Sequence, residues 1–98
     1  MTPLLEKVIA TIRTKRAEIE ARFGIRLVGV VGSVARGDER ADSDVDVIYD
    51  VVGRPTLFDL SDVQFDLEDL LGRSVDLVDT SVMRPERRAH MERDLVLA

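Results

Sequence analysis

Gly32-Ser33-Val34-Ala35-Arg36-Gly37-Asp38-Glu39-Arg40-Ala41-Asp42-Ser43-Asp44-Val45-Asp46-Val47-Ile48 is the stretch whose reading decides the fold. A small-residue turn leaves one apolar run, Ile25–Val31, and a polar connection, Gly37–Ser43, delivers the chain to a second, Val45–Val52. Both runs are short, rich in valine and isoleucine and closed by glycine, the pattern of strands buried on at least one face. Side chains alternate along a strand, so Asp44, Asp46, Ile48 and Asp50 share one face and Val45, Val47, Tyr49 and Val51 the other. The valine face belongs to a core, and the aspartate face carries the chemistry.

Upstream, Leu4, Leu5, Val8, Ile9, Ile12, Ile19 and Phe23 recur at helical spacing, which predicts an amphipathic helix over Pro3–Phe23. Thr2 before Pro3 serves as its N-cap and Gly24 as its stop. Ser33–Arg36 reads as one or two helical turns opened by a serine cap. Downstream, Gly53, Arg54 and Pro55 break the second strand, and a helix runs from near Leu57 to Leu71 with Leu60, Val63, Leu67, Leu70 and Leu71 inward. Its start is marked by Thr56 or by the capping box of Ser61 with Gln64. Val75–Val78 is a third strand, and the intervening helix is long enough for a crossover, so strands two and three lie side by side and parallel. That pairing brings Asp76 near Asp44 and Asp46. Pro85–Leu95 reads as a charged helix with Ala89, Met91 or Leu95 inward, and the last four residues are too short to assign.

Ninety-eight residues, 45% apolar and 34% charged, describe one globular domain over residues 1–98. A net charge of -5 argues against a resident nucleic-acid partner, which needs clustered Lys and Arg, although a nucleic acid remains admissible as substrate. The absence of cysteine excludes a disulfide framework and a thiolate zinc site and fits a reducing, cytoplasmic setting. No apolar run approaches the roughly 20 residues of a membrane span, and charge enters too early at Glu6 and Lys7 for a signal peptide.

Asp44 and Asp46 on one face, with Asp76 from a neighbouring strand, place three carboxylates within a few ångströms on this reading. Two such charges about 4 Å apart repel by roughly 4 kcal/mol at an effective dielectric near 20, which a divalent cation relieves. Oxygen ligands suit Mg²⁺ or Mn²⁺ rather than zinc, and the single histidine, His90, has no second ligand at metal-binding spacing. Gly32 permits close backbone approach, while the Ser33 hydroxyl and the N–H groups of the turn suit phosphate oxygens. Two familiar motifs fail here. The glycine spacing of Gly32 and Gly37 matches a P-loop, but Asp38 and Glu39 stand where lysine and a hydroxyl residue belong. Asp42, Asp44 and Asp46 imitate a calcium hand, but Val47 replaces its turn glycine and Gly53 its closing glutamate. The bland alternatives are a solvated turn for Asp-x-Asp and a water-facing strand end for Asp76. Asp38, Glu39, Asp42 and Asp50 read as solvated, His90 as an exposed helix residue and Tyr49 as core.

Gly-Ser, about ten residues and then Asp-x-Asp entering an apolar strand resembles the nucleotidyltransferase superfamily that includes polymerase-β-like enzymes. More narrowly, Gly-Ser-Val-Ala-Arg-Gly, Ser-Asp-Val-Asp-Val and the later Gly-Arg-Ser-Val-Asp-Leu-Val resemble minimal nucleotidyltransferases, often the antitoxin half of pairs with HEPN-domain toxins. The resemblance implies an α/β nucleotidyltransferase fold, a mixed sheet of three to four strands flanked by about four helices. It makes Gly32 and Ser33 contacts to nucleotide phosphates, Asp44 and Asp46 metal ligands, and Asp76 a third carboxylate shared between metal and attacking hydroxyl. Arg36 is either a contact to phosphates or partner, or a surface salt-bridge residue. The implied reaction is adenylyl transfer from ATP, with two Mg²⁺ or Mn²⁺ ions, to a protein acceptor, a HEPN-type RNase toxin that is thereby neutralised. Rival readings are a non-catalytic module that neutralises its partner by complex formation, and a homodimer acting on a small molecule.

Overall fold

The computed structural model describes residues 1–98, in the order α1 (Pro3–Phe23), β1 (Ile25–Val31), α2 (Gly32–Arg36), β2 (Val45–Val51), α3 (Leu57–Leu71), β3 (Val75–Asp79), α4 (Pro85–Glu92) and β4 (Val96–Leu97). A 3-10 turn, Thr80–Val82, joins β3 to α4. The strands form one mixed sheet ordered β3-β2-β1-β4, with β1 antiparallel to both β2 and β4 and β2 parallel to β3. The crossover through α3 therefore yields the parallel pair that its length allows. The final residues, too short to assign from sequence, become a fourth strand because β1 has a free edge: Gly29 pairs with Leu97 and Val30 with Val96. Arg16 fastens this end, donating to the carbonyls of Leu27 and Ala98.

α1 and α3 pack together on one face of the sheet. Leu5, Val8, Ile9, Ile12, Ile19 and Phe23 of α1 meet Val63, Leu67 and Leu71 of α3 over Val45, Val47 and Tyr49 of β2. The Thr2 hydroxyl accepts the Leu5 N–H, and Gly24, in the left-handed region, ends α1 as expected. Val31 and Ile48 are buried but lie outside this core, on the opposite face. No helix is long and apolar enough to cross a membrane.

Local expectations shift where tertiary context intervenes. α2 begins one residue earlier than expected, at Gly32, with Val31 as its N-cap and no side-chain cap, so Ser33 lies inside the helix. α3 starts at Thr56, whose hydroxyl accepts the Asp59 N–H while the Asp59 carboxylate accepts the Thr56 N–H. Gln64 does not close a capping box with Ser61; its side chain donates to the Val75 carbonyl. Leu70 and Val51, expected inward, are exposed, Leu70 at the margin of the α3 stripe and Val51 at the end of β2. α4 stops at Glu92, three residues short of the expected end. Ala89 faces solvent, whereas Met91 and Leu95 are half-buried.

Candidate active site

One row of the sheet assembles the site. Register pairs Val31 with Asp46 across β1 and β2, and Asp46 with Asp76 across β2 and β3. Gly32 follows Val31 directly, so the Gly-Ser turn ends beside the Asp46 carboxylate. Gly32 has a φ of 78°, and a Cβ there would collide with Asp46 Oδ2. Glycine is thus required twice, for backbone conformation and for the space that the carboxylate occupies.

Three further contacts hold the row. Arg73, just before β3, donates to the carbonyls of Arg40 and Ser43 at 2.6 and 3.0 Å and so anchors the loop that presents Asp44. The Arg40 N–H donates to Ser43 Oγ at 2.8 Å, tightening the same turn. On the other side, Glu68 accepts the Val75 N–H at 2.9 Å and Gln64 donates to the Val75 carbonyl at 2.9 Å. β3 is an edge strand, and these α3 side chains satisfy the outward backbone groups of Val75 and fix the neighbouring Asp76 in register.

Asp46 is half-buried, and Asp44 and Asp76 are exposed. Burial, then Asp76, then Asp44 raise the Asp46 carboxyl above its ordinary value of 3.8, with Arg36 opposing only weakly. None of the three aspartates enters an ion pair. No three such side chains close into a ready-made metal group, although Asp76 and Asp44 both act on the Asp46 carboxyl. Asp46 and Asp76 stand side by side, and Asp44 lies at the loop end. This geometry still fits a hard cation, because Mg²⁺ is usually held by one or two carboxylates together with substrate phosphates rather than by an all-protein cage. The donor chemistry, oxygen atoms with no cation of the protein paired to them, points the same way.

Arg36 pairs with Asp38 at 3.2 Å and with Asp94 at 2.9 Å, tying α2 to the segment after α4. Ser33, half-buried in the first turn of α2, lies one residue beyond Gly32. A cleft opens on both sides of Asp46. Its larger lobe, about 630 Å³, is lined by Asp46, Asp76, Val82, Met83, Arg84 and Arg87 among others. The smaller, about 160 Å³, lies among Gly32, Arg36, Asp46, Arg87, His90 and Asp94. Arg87 is the one cation lining both lobes, and neither it nor Arg84 forms an ion pair. Motif reading passes over both arginines. The signal available was compositional: Arg84, Arg87, Arg88 and Arg93 crowd ten residues of an acidic chain.

A small mixed sheet that sets a glycine-serine turn against paired carboxylates defines a class, and the chain belongs to it: the family described as Nucleotidyltransferase domain matches residues 12–97. Within that family the chain is similar to the protein adenylyltransferase MntA of Thermococcus cleftensis, 39% identical over 80 residues, 82% of this chain and 81% of that one. A solved structure described as a minimal nucleotidyltransferase superposes with a TM-score of 0.69 at 36% identity, covering 90% of this chain and 93% of the other. A toxin-antitoxin structure with AMP-PNP shares the fold at a TM-score of 0.56 and 20% identity, over 72% of this chain and 59% of that one.

Proposed function

We propose that residues 1–98 work as one minimal nucleotidyltransferase domain that transfers AMP from ATP to a hydroxyl of a protein acceptor. The observation that carries this reading is the row Gly32, Asp46, Asp76, in which a glycine-serine turn abuts two carboxylates of adjacent strands. In the proposed reaction an acceptor oxygen attacks the α-phosphorus of ATP, the bond to the bridging oxygen of the β-phosphate breaks, and pyrophosphate leaves. The hydroxyl proton passes to Asp76, the more exposed of the paired carboxylates. Gly32 and Ser33 bind phosphate oxygens at the uncapped start of α2. Arg36, Arg84 and Arg87 offset the negative charge of the triphosphate, Arg36 once its pairs with Asp38 and Asp94 loosen. Asp44, Asp46 and Asp76 would hold two Mg²⁺ or Mn²⁺ ions, which would supply neutralisation of the charge that develops during transfer. Positioning and charge neutralisation supply most of the acceleration in this kind of transfer.

Three supports bear on the acceptor. The relative from Thermococcus carries the name protein adenylyltransferase. One chain of a toxin-antitoxin structure shares the fold. A net charge of -5 would also complement a basic partner. The acceptor is proposed to be a HEPN-type toxin that modification silences, in the cytoplasm. Incubation of the protein with the product of its adjacent gene, Mg²⁺ and α-labelled ATP tests this, beside an Asp44→Ala, Asp46→Ala double variant. Label on the partner that disappears in the variant is the expected result. A variant that neutralises the partner fully, with no label transferred by either protein, overturns catalysis in favour of neutralisation by binding.

A further inference from the structure

We propose that the outer ridge of α3 is a docking surface for a protein partner with a cationic face. The chain holds only four aromatic residues, three phenylalanines and one tyrosine. Phe23 and Tyr49 are buried, but Phe58 and Phe65 are 83% and 62% exposed. They are seven residues apart, two helical turns, so they stand on one line about 10 Å apart along the axis. That line lies opposite the stripe of Val63, Leu67 and Leu71 that packs into the core. Scattered exposed apolar residues are ordinary; half of a chain's aromatic residues aligned on the solvent side of one helix is not. Aromatic side chains are preferred anchors of protein interfaces, and each buries roughly 150–250 Å² when covered. Two of them supply about half of the roughly 800 Å² that one partner contributes to a standard interface.

Charge selects the occupant. α3 carries Asp59, Asp62, Asp66, Glu68 and Asp69 and no basic residue. Asp62, Asp66 and Asp69 share the solvent side with the two phenylalanines. A second copy seated ridge to ridge would set those aspartates against their own counterparts, and anionic lipid or nucleic acid would be repelled in the same way. A basic protein surface with an apolar recess gains both the ring burial and the charge pairing. The ridge lies on the α1 and α3 side of the sheet, whereas Asp46 and the cleft open on the other side, so docking leaves the cleft free. This surface does not depend on the nucleotidyl-transfer reading.

The test places a photo-crosslinking phenylalanine analogue at Phe58, at Phe65 and, as control, at the exposed Arg13 of α1, in cells of the source organism. The expected result is an adduct with one protein from both ridge positions and not from Arg13, mapped to a peptide rich in Lys and Arg. The purified pair should weaken about tenfold between about 0.05 and about 0.5 M salt. A Phe58→Ser, Phe65→Ser variant should bind that partner at least about tenfold more weakly, with unchanged Tm and unchanged ATP binding. Adducts at twice the mass of the chain, adducts no stronger than the control, a salt-insensitive pair, undiminished binding by the double variant or a fall in its Tm would each overturn the proposal.

Discussion

The two faces of β2 follow opposite rules. On one, Val45, Val47 and Tyr49 sink into α1 and α3, only Val51 at the strand's end is left uncovered, and no charged side chain is buried. On the other, Ile48 is buried, yet Asp46 sits half-buried beside Asp76 with no cation paired to it. One strand thus stabilises the fold with alternate residues and holds mutually repelling carboxylates with the residues between. The difference teaches where a substitution registers: the core face reports in stability, the carboxylate face in activity.

The sharpest way to break this comparison is Asp46→Ala. Transfer of label from ATP is expected to fall about a thousandfold, equivalent to ~4 kcal/mol of transition-state stabilisation, with thermal stability unchanged or higher. A variant that loses stability in proportion to activity would show that Asp46 serves the fold. Leu67→Ala is the mirror experiment. Leu67 is fully buried in the centre of the α3 stripe, so chemical denaturation should show a loss of about 2–5 kcal/mol, while activity per folded molecule is retained.

The contrast between the faces also explains what was legible beforehand. Period-two alternation separated Val45, Val47 and Tyr49 from Asp44 and Asp46 because β2 is central, paired on both sides and covered on one. The parallel placement of β3, and with it the meeting of Asp46 and Asp76, followed from the length of the crossover helix. Less legible were the features that depend on a third element. β4 exists only because the edge of β1 accepts it, and two residues carry no periodicity. Val51 and Leu70 fit their patterns, but no neighbouring element covers them. Arg73, Gln64 and Glu68 position the site by bonding to backbone groups of other segments, and such partners leave no mark in local sequence. Arg84 and Arg87 escaped for a related reason: a charged helix looks solvated until the chain folds it over a cleft.

Arg87→Ala sharpens the comparison from the cleft's roof. Arg87 lines both lobes around Asp46 and packs nothing into the core, so stability should not change. The KM for ATP should rise about tenfold, ~1.4 kcal/mol, with a smaller effect for Arg87→Lys. An unchanged KM would confine the phosphate-binding charge to the α2 side of the cleft.

The smallest expected effect is the most specific to the carboxylate face. Burial and the neighbouring Asp76 and Asp44 raise the Asp46 carboxyl above 3.8 in the folded chain, whereas the unfolded chain keeps the ordinary value. Between those two values the native state binds more protons than the unfolded state, so stability falls as pH rises through the window and stays lower above it. Asp46→Asn lacks the titrating group and escapes this loss. Its advantage over the parent should therefore be absent near pH 3.8 and below, appear as pH rises and persist at pH 7. Thermal melts of both proteins in EDTA at stepped pH measure the difference without any metal to mask the repulsion. The effect is small because solvent reaches Asp46 and screens it. An advantage that does not change with pH, or one that reverses at pH 7, would mean that the carboxylate face is not under electrostatic strain. The two faces of β2 would then differ in chemistry but not in stability.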